Sequence, residues 1–360
     1  MRRVALSIGL LSVALFLIGQ GCFSLTGEEA PRTAGPGGMF VSVNKGEAWQ
    51  AISVLPGAQG VQDLSGVSVY RLFTDPQDTR ALYWASRAHG FFYTYDGGQT
   101  WQQPQGDLRS GFIYSIAVDP RDRCTLFVTN GAKVFRSEDC SRSWQEVYRE
   151  SRLDVRVTSI AFNRLAPRQV LILLSNGDLL ETTDAGASWQ VIYRFEKDVV
   201  DVFADPRQRD IFYVASRSSG LYRSIDAGRT WVSLQENMND FFGSSEYRRF
   251  YLHPANAGVL YWISTYGILR SDNSGDTWEP VDLITPPGSA QIYAFAVNPK
   301  NEQELYYTAT INNRSTFYRS FDGGIKWATK QLPSGQIPTI LHVHPDNPEV
   351  VYLGFTIPSR

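Results

Sequence analysis

One eight-residue phrase, Ser/Thr-x-Asp/Asn-x-Gly-x-x-Trp, recurs seven times along this chain of 360 residues. It opens at Ser42, Thr94, Ser137, Thr182, Ser224, Ser271 and Ser320. It closes at Trp49, Trp101, Trp144, Trp189, Trp231, Trp278 and Trp327, which places seven of the nine tryptophans. Successive copies begin 42 to 52 residues apart. A period of about 40 to 50 residues marks the four-stranded blades of a propeller, each a unit that buries its apolar faces only against its neighbours.

Each copy reads as a tight hairpin. The acid or amide at the third position (Asn44, Asp96, Asp139, Asp184, Asp226, Asn273, Asp322) is expected to accept hydrogen bonds from backbone N–H groups two residues on. The following glycine supplies a positive φ, except in the third copy, where Ser141 stands in its place. The closing tryptophan starts the next strand and is expected to wedge its indole between neighbouring sheets. These acids are therefore read as turn staples and not as catalytic carboxylates.

Upstream of each box runs a common grammar of an apolar strand, a turn, a second apolar strand, a loop and a third strand entering the box. Ile116, Val118, then Leu126, Val128, then Val134, Phe135 is one instance. His253-Pro254 and His344-Pro345 fill the turn slot that Asp119-Pro120 and Asp205-Pro206 fill elsewhere, so these histidines and His342 beside them read as turn and strand residues, and no metal site is expected. The two ends are complementary: residues 39–42 run straight into a box with no first or second strand, and residues 340–354 supply two strands with no third. The expected fold is all-β, a seven-bladed β-propeller whose seventh blade is closed by N- and C-terminal strands, which removes an open sheet edge.

Residues 1–22 read as a lipoprotein-type signal peptide: Arg2 and Arg3 precede an apolar run over 4–19, and Gly21-Cys22 follows. The segment resembles a bacterial lipoprotein cleavage box, with Gly19 where an aliphatic residue usually stands and Ile18 one step further out. The resemblance implies lipidation of Cys22 and an extracytoplasmic, bacterial cell-envelope location, anchored to a membrane by lipid. Residues 23–38, rich in Gly, Pro, Thr and Glu, read as a flexible tether, leaving 39–360 for the ring. Cys124 and Cys140 fall in one blade on connections that share a rim, and export permits a disulfide between them.

A formal charge of −2 excludes the basic field of a nucleic-acid binder, and nothing calls for a cofactor. Arginines far outnumber the six lysines, which favours bidentate carboxylate contacts and stacking on aromatic rings. Arg136, Arg223, Arg270 and Arg319, each just before a box serine, follow the repeat and read as blade braces. With the boxes on one rim, ligand-facing residues are expected on the opposite, loop-bearing rim. The candidates there are Arg87, Arg109, Arg152, Arg156 and Arg217, with Phe242, Tyr247, Arg248 and Arg249 on what reads as the longest connection, residues 235–249.

The repeated phrase resembles the Asp-box, or bacterial neuraminidase repeat, of sialidases, sortilin-type receptors, some endoglucanases and the photosystem II assembly factors. In that family the box is structural, so the resemblance implies a fold more than an activity. The photosystem II assembly factors are similar in plan, being single exported seven-bladed rings, and the resemblance implies a non-catalytic, monomeric binding or assembly scaffold for a protein or glycan partner. The alternative is a glycoside hydrolase of sialidase or endoglucanase type. Against it, the Arg-Ile-Pro segment of sialidases does not occur here, and box-type endoglucanases pair two propellers across a cleft. A sortilin-like receptor would need more blades and a cysteine-rich module.

Overall fold

The computed structural model describes residues 35–166 and 168–358. The expected leader, Cys22 and residues 23–34 of the expected tether lie outside the described residues. Seven blades follow one another around an axis. Their four strands run antiparallel from the axis outward, as in Ser115–Asp119, Asp122–Thr129, Lys133–Ser137 and Gln145–Arg149 of blade 2. Blade 1 has three full strands, Arg71–Thr74, Leu82–Ala85 and Phe91–Thr94, and its fourth is reduced to a single bridge, Tyr93 to Gln102. Blades 3 to 6 occupy residues 157–194, 199–233, 247–280 and 291–330.

Blade 7 closes the ring as the two ends of the sequence suggest. Gly38–Ser42 lies between Gln50–Ala51 and Val351–Thr356, and Ile337–Val343 takes the innermost place. Phe40 pairs with Leu353 and Ser42 with Val351. The expected tether ends earlier than residue 38, because Gly38 already belongs to the strand, Gly37 N–H donates to Ser65 O at 2.7 Å and Gln336 Nε2 to Gly35 O at 3.1 Å. A hairpin of Val54–Gly57 and Gly60–Asp63, which the repeat does not foreshadow, fills the connection into blade 1.

Seven apolar cores sit between adjacent blades, and each takes one box tryptophan from the later blade of the pair. Trp101 and Trp278 are buried and the other five are half-buried, so the indoles act as wedges. Trp101, Trp189 and Trp327 each donate Nε1–H to a carbonyl on the preceding blade, at Ile52, Val147 and Asp282. The arginine braces do the same by charge: Arg223 reaches Ser274 O and Asp276, Arg270 reaches Glu302, and Arg319 reaches Lys45 O and Glu47, all on the next blade. Arg136 instead pairs with Glu138 in its own turn.

The box geometry differs in one respect from the sequence expectation. The third-position oxygen accepts from the N–H four residues on, not two, at 2.8–3.0 Å in all seven copies. The first-position hydroxyl donates to that same oxygen and accepts the fifth-position N–H. Two successive residues then carry positive φ, and only the second is regularly glycine. A Cβ on Gly46 would lie 2.4 Å from the Phe317 ring, so that glycine serves the wedge as well as the turn. Ser141 adopts φ 67° beside Cys140, which is disulfide-bonded to Cys124.

The turn histidines prove to be acceptors. Nδ1 of His253 receives the N–H groups of Ala255 and Asn256, and Nδ1 of His344 those of Asp346 and Asn347, as Asp205 receives those of Arg207 and Gln208. Burial holds the pKa of both histidines below the ordinary value, which keeps the ring nitrogen free to accept.

These turns make the fold acid-sensitive. The Ser143, Ser188 and Thr230 hydroxyls, with the N–H groups of the same residues, pull Asp139, Asp184 and Asp226 down to about 2. A carboxyl whose pKa is lower folded than unfolded contributes its stability above the unfolded value of about 3.9 and loses it as pH falls through the folded one. The depressed histidines act with the same sign, contributing in full above about 6.5 and losing it as pH falls further. The denaturant midpoint should therefore fall steadily from pH 6 to pH 2. Asp184→Asn, which keeps the accepting oxygen, should make that limb shallower; an unchanged limb would show that the box acids are not linked to folding.

Candidate functional site

The strand topology sorts the connections onto two rims. Box hairpins and the first-to-second turns share one. The second-to-third loops and the links between blades share the other, which is the rim the sequence points to for binding.

On that loop rim the nine candidates divide. Arg152 is held by Glu150 at 2.9 Å and Asp178 at 3.0 Å, and Arg217 by Asp198 at 2.9 Å, so their charge is already spent within the protein. Arg87 and Arg109 are exposed, and Arg156 and Arg248 are half-buried. Among the described residues, no carboxylate lies within ion-pair distance of these four. Arg87 lies 5.2 Å from the Tyr70 ring centre and 5.8 Å from that of Phe112, and Phe112 stacks on Tyr114 at 4.1 Å. Arg109 donates to Gln105, and Arg156 to the carbonyls of Leu153 and Val155. Phe242 is 95% exposed and Leu153 91%, which leaves large apolar groups exposed on links of the same rim.

Tyr247, Arg248 and Arg249 are not loop residues. They begin the innermost strand of blade 5, Tyr247–Leu252, and the connection that precedes it is residues 234–246. A β-bulge between Tyr247 and Arg249 turns both side chains toward the axis. There Arg71 of blade 1 reaches Asp201 of blade 4 through both guanidinium nitrogens, at 2.6 and 2.8 Å, and the Tyr247 hydroxyl donates to Asp201 Oδ2 at 2.9 Å. Arg249 donates to Arg248 O at 2.9 Å and to Thr339 O of blade 7 at 3.5 Å. Four blades thus meet in the channel. Arg71 and Asp201 carry a sequence signal that rim reasoning passes over: each is a charge set in an otherwise apolar inner strand.

Three carboxylates of the loop rim, Glu150, Asp107 and Asp178, are tuned toward ionisation. Arg152 holds Glu150 down to about 2, and Lys133 holds Asp107 below the usual range. Against the cost of burial, Asn176, Arg152 and Arg194 keep Asp178 low as well. Among the described residues the carboxyls displaced upward are Asp75 and Asp119, each raised by burial. Both staple first-to-second turns on the box rim through backbone N–H groups. A cavity of about 540 Å³ between blades 2 and 3 opens there beside Asp119, Arg121 and Arg136. No group of three or more metal-ligating side chains occurs among the described residues.

Comparison with known proteins agrees with this architecture. The profile of the BNR/Asp-box repeat matches residues 92–103. The photosystem II assembly protein Ycf48 of Thermosynechococcus vestitus is 28% identical over 158 residues, covering 43% of this chain and 41% of that protein. The xyloglucanase Xgh74A of Acetivibrio thermocellus is 26% identical over 253 residues, 63% of this chain but 27% of the enzyme. The chain thus spans less than half the length of either relative. Among solved structures, the GH74 enzyme of Niastella koreensis superposes with a TM-score of 0.65 at 16% identity, over 88% of this chain and 53% of that one. Ycf48 bound to a D1 peptide superposes with a TM-score of 0.59 at 16% identity, over 82% of this chain and 94% of that one. The chain is a seven-bladed β-propeller carrying seven Asp-box phrases, one of which matches the BNR/Asp-box repeat, and it is similar over part of its length to the assembly protein Ycf48 and to GH74 xyloglucanases.

Proposed function

We propose that this propeller is a non-catalytic scaffold that binds a protein partner through its loop rim. The observation that carries the reading is the charge pattern of that rim, where Arg87, Arg109 and Arg156 have no acidic partner among the described residues while Glu150, Asp178 and Asp198 are already paired. Such a surface suits acidic or aromatic peptide groups. The solved Ycf48 bound to a D1 peptide, whose length the match almost fills, supports a peptide partner here.

Membrane tethering through an acylated Cys22 belongs to the same proposal. Gly35 joins the ring at the loop rim, and the 13 residue steps back to Cys22 reach at most about 45 Å. An acylated Cys22 would thus keep the binding rim near the bilayer surface, and Cys22→Ser should move the protein from the membrane fraction to the soluble one.

The reading is tested by capturing partners from envelope extract with wild type and with Arg87→Glu/Arg109→Glu/Phe242→Ser, beside a turnover assay on xyloglucan oligosaccharides. All three positions are exposed, so the variant should keep wild-type stability within about 0.5 kcal/mol per site. Partner retention should drop at least tenfold and weaken with salt in the wild type. The likeness to GH74 xyloglucanases makes glycan hydrolysis the second reading, and turnover abolished by replacing one rim carboxylate would select it instead.

A further inference from the structure

The channel cluster is not balanced in charge. Arg71 and Arg249 bring two guanidinium groups to the axis and Asp201 brings one carboxylate, which is already engaged bidentately by Arg71 and by the Tyr247 hydroxyl. Arg249 has main-chain carbonyls as its acceptors, one of them at 3.5 Å, and no carboxylate within ion-pair distance among the described residues. Tyr70, whose ring lies 5.2 Å from the Arg71 guanidinium, lines the same end of the channel.

A half-buried guanidinium facing the axis without a carboxylate partner of its own is costly, and proteins ordinarily pair it. Burial and the neighbouring Arg71 charge both press on Arg249 in the direction of proton loss, yet a guanidinium keeps its proton at any physiological pH. Its planar fork presents hydrogen-bond donors in a geometry that fits two oxygens of one anion. The inner strands hold the fork in place: the bulge at Arg248 sets the direction of Arg249, and Thr339, which receives its Nη2, is tied to Val69 O of blade 1 at 3.0 Å.

We propose that the axial channel is an anion-binding site in which Arg249, with Arg71 beside it, grips a small oxyanion such as a carboxylate or an inorganic sulfate or phosphate. A bound carboxylate brings the cluster to neutrality and a doubly charged sulfate or phosphate takes it to −1, and either joins Arg71 of blade 1 to Arg249 of blade 5 through one group. The site lies inside the ring and stands whether or not the loop rim takes a macromolecular partner.

The test is thermal melting of the full propeller against increasing acetate, sulfate or phosphate, with chloride making up constant ionic strength. The melting midpoint should rise saturably with at least one oxyanion in wild type and in Arg209→Met, an exposed arginine on the box rim. It should not respond in Arg249→Met. Where Arg249→Met does not fold, Arg249→Lys serves, since it keeps the charge and loses the fork, and about a tenfold weaker response is expected. A wild type without a saturable response, or an Arg249 variant that responds as the wild type does, would overturn the site. Preference for acetate identifies a carboxylate ligand, and preference for sulfate or phosphate a tetrahedral one.

Discussion

Removing residues 350–360 is expected to leave a chain with no cooperative unfolding transition at 25 °C. The strand Val351–Thr356 is the central partner of blade 7, paired to Gly38–Ser42 on one side and Ile337–Val343 on the other. Val351, Leu353 and Phe355 are fully buried. At about 1.5–3 kcal/mol for each such side chain, their loss alone removes about 5–9 kcal/mol. That is of the order of the whole stability of an ordinary domain, about 5–15 kcal/mol. Further costs come from Met39 and Phe40, which the deletion uncovers, and from the Tyr352 hydroxyl, which donates to Gly97 O in the box of blade 1. Near-ultraviolet circular dichroism during a thermal ramp gives the readout. A truncated protein that melts within a few degrees of the full one would mean that the ring does not depend on its terminal strand. A milder version, Leu353→Ala, should lower the urea midpoint by an amount equivalent to about 2–5 kcal/mol without changing the slope.

That closure was readable because it rests on sequence order and not on side-chain direction: strands missing from one end of the repeat were present at the other. The boxes were readable for a related reason. Their hydrogen bonds join residues two and four apart, so the phrase itself holds every partner except the surface each tryptophan wedges against. The turn histidines were likewise decided locally, by occupying the slot of Asp119 and Asp205. The candidate rim was legible only as a place. Whether an arginine is free or spent depends on residues far away in sequence, as with Arg152 and Asp178, and no repeat encodes that. Tyr247 and Arg249 show the limit most clearly, since a single bulge in the inner strand takes them off the rim and into the channel, where Asp201 lies 46 residues upstream of Tyr247.

Trp101→Ala should cost about 3–5 kcal/mol, and Trp231→Ala roughly half as much. The two occupy the same place in their boxes, so local sequence would make them equal. Their surroundings differ. Trp101 is fully buried in the core between blades 7 and 1, its ring centre 5.4 Å from that of Trp84 at an interplanar angle of 82°. Its Nε1–H donates across the blade boundary to Ile52 O at 2.8 Å, so truncation opens a cavity and also leaves that buried carbonyl without its donor. Trp231 is half-buried and donates to Gly228 O in its own turn at 3.0 Å, which ties the turn but joins no blades. Trp101→Phe should recover much of the packing and none of the hydrogen bond, and so fall between wild type and the alanine variant. Urea unfolding of the three variants separates the contributions. A cost below about 1 kcal/mol at Trp101, or equal costs at the two positions, would mean that the indole is an ornament of the hairpin and that something other than these wedges holds neighbouring blades together.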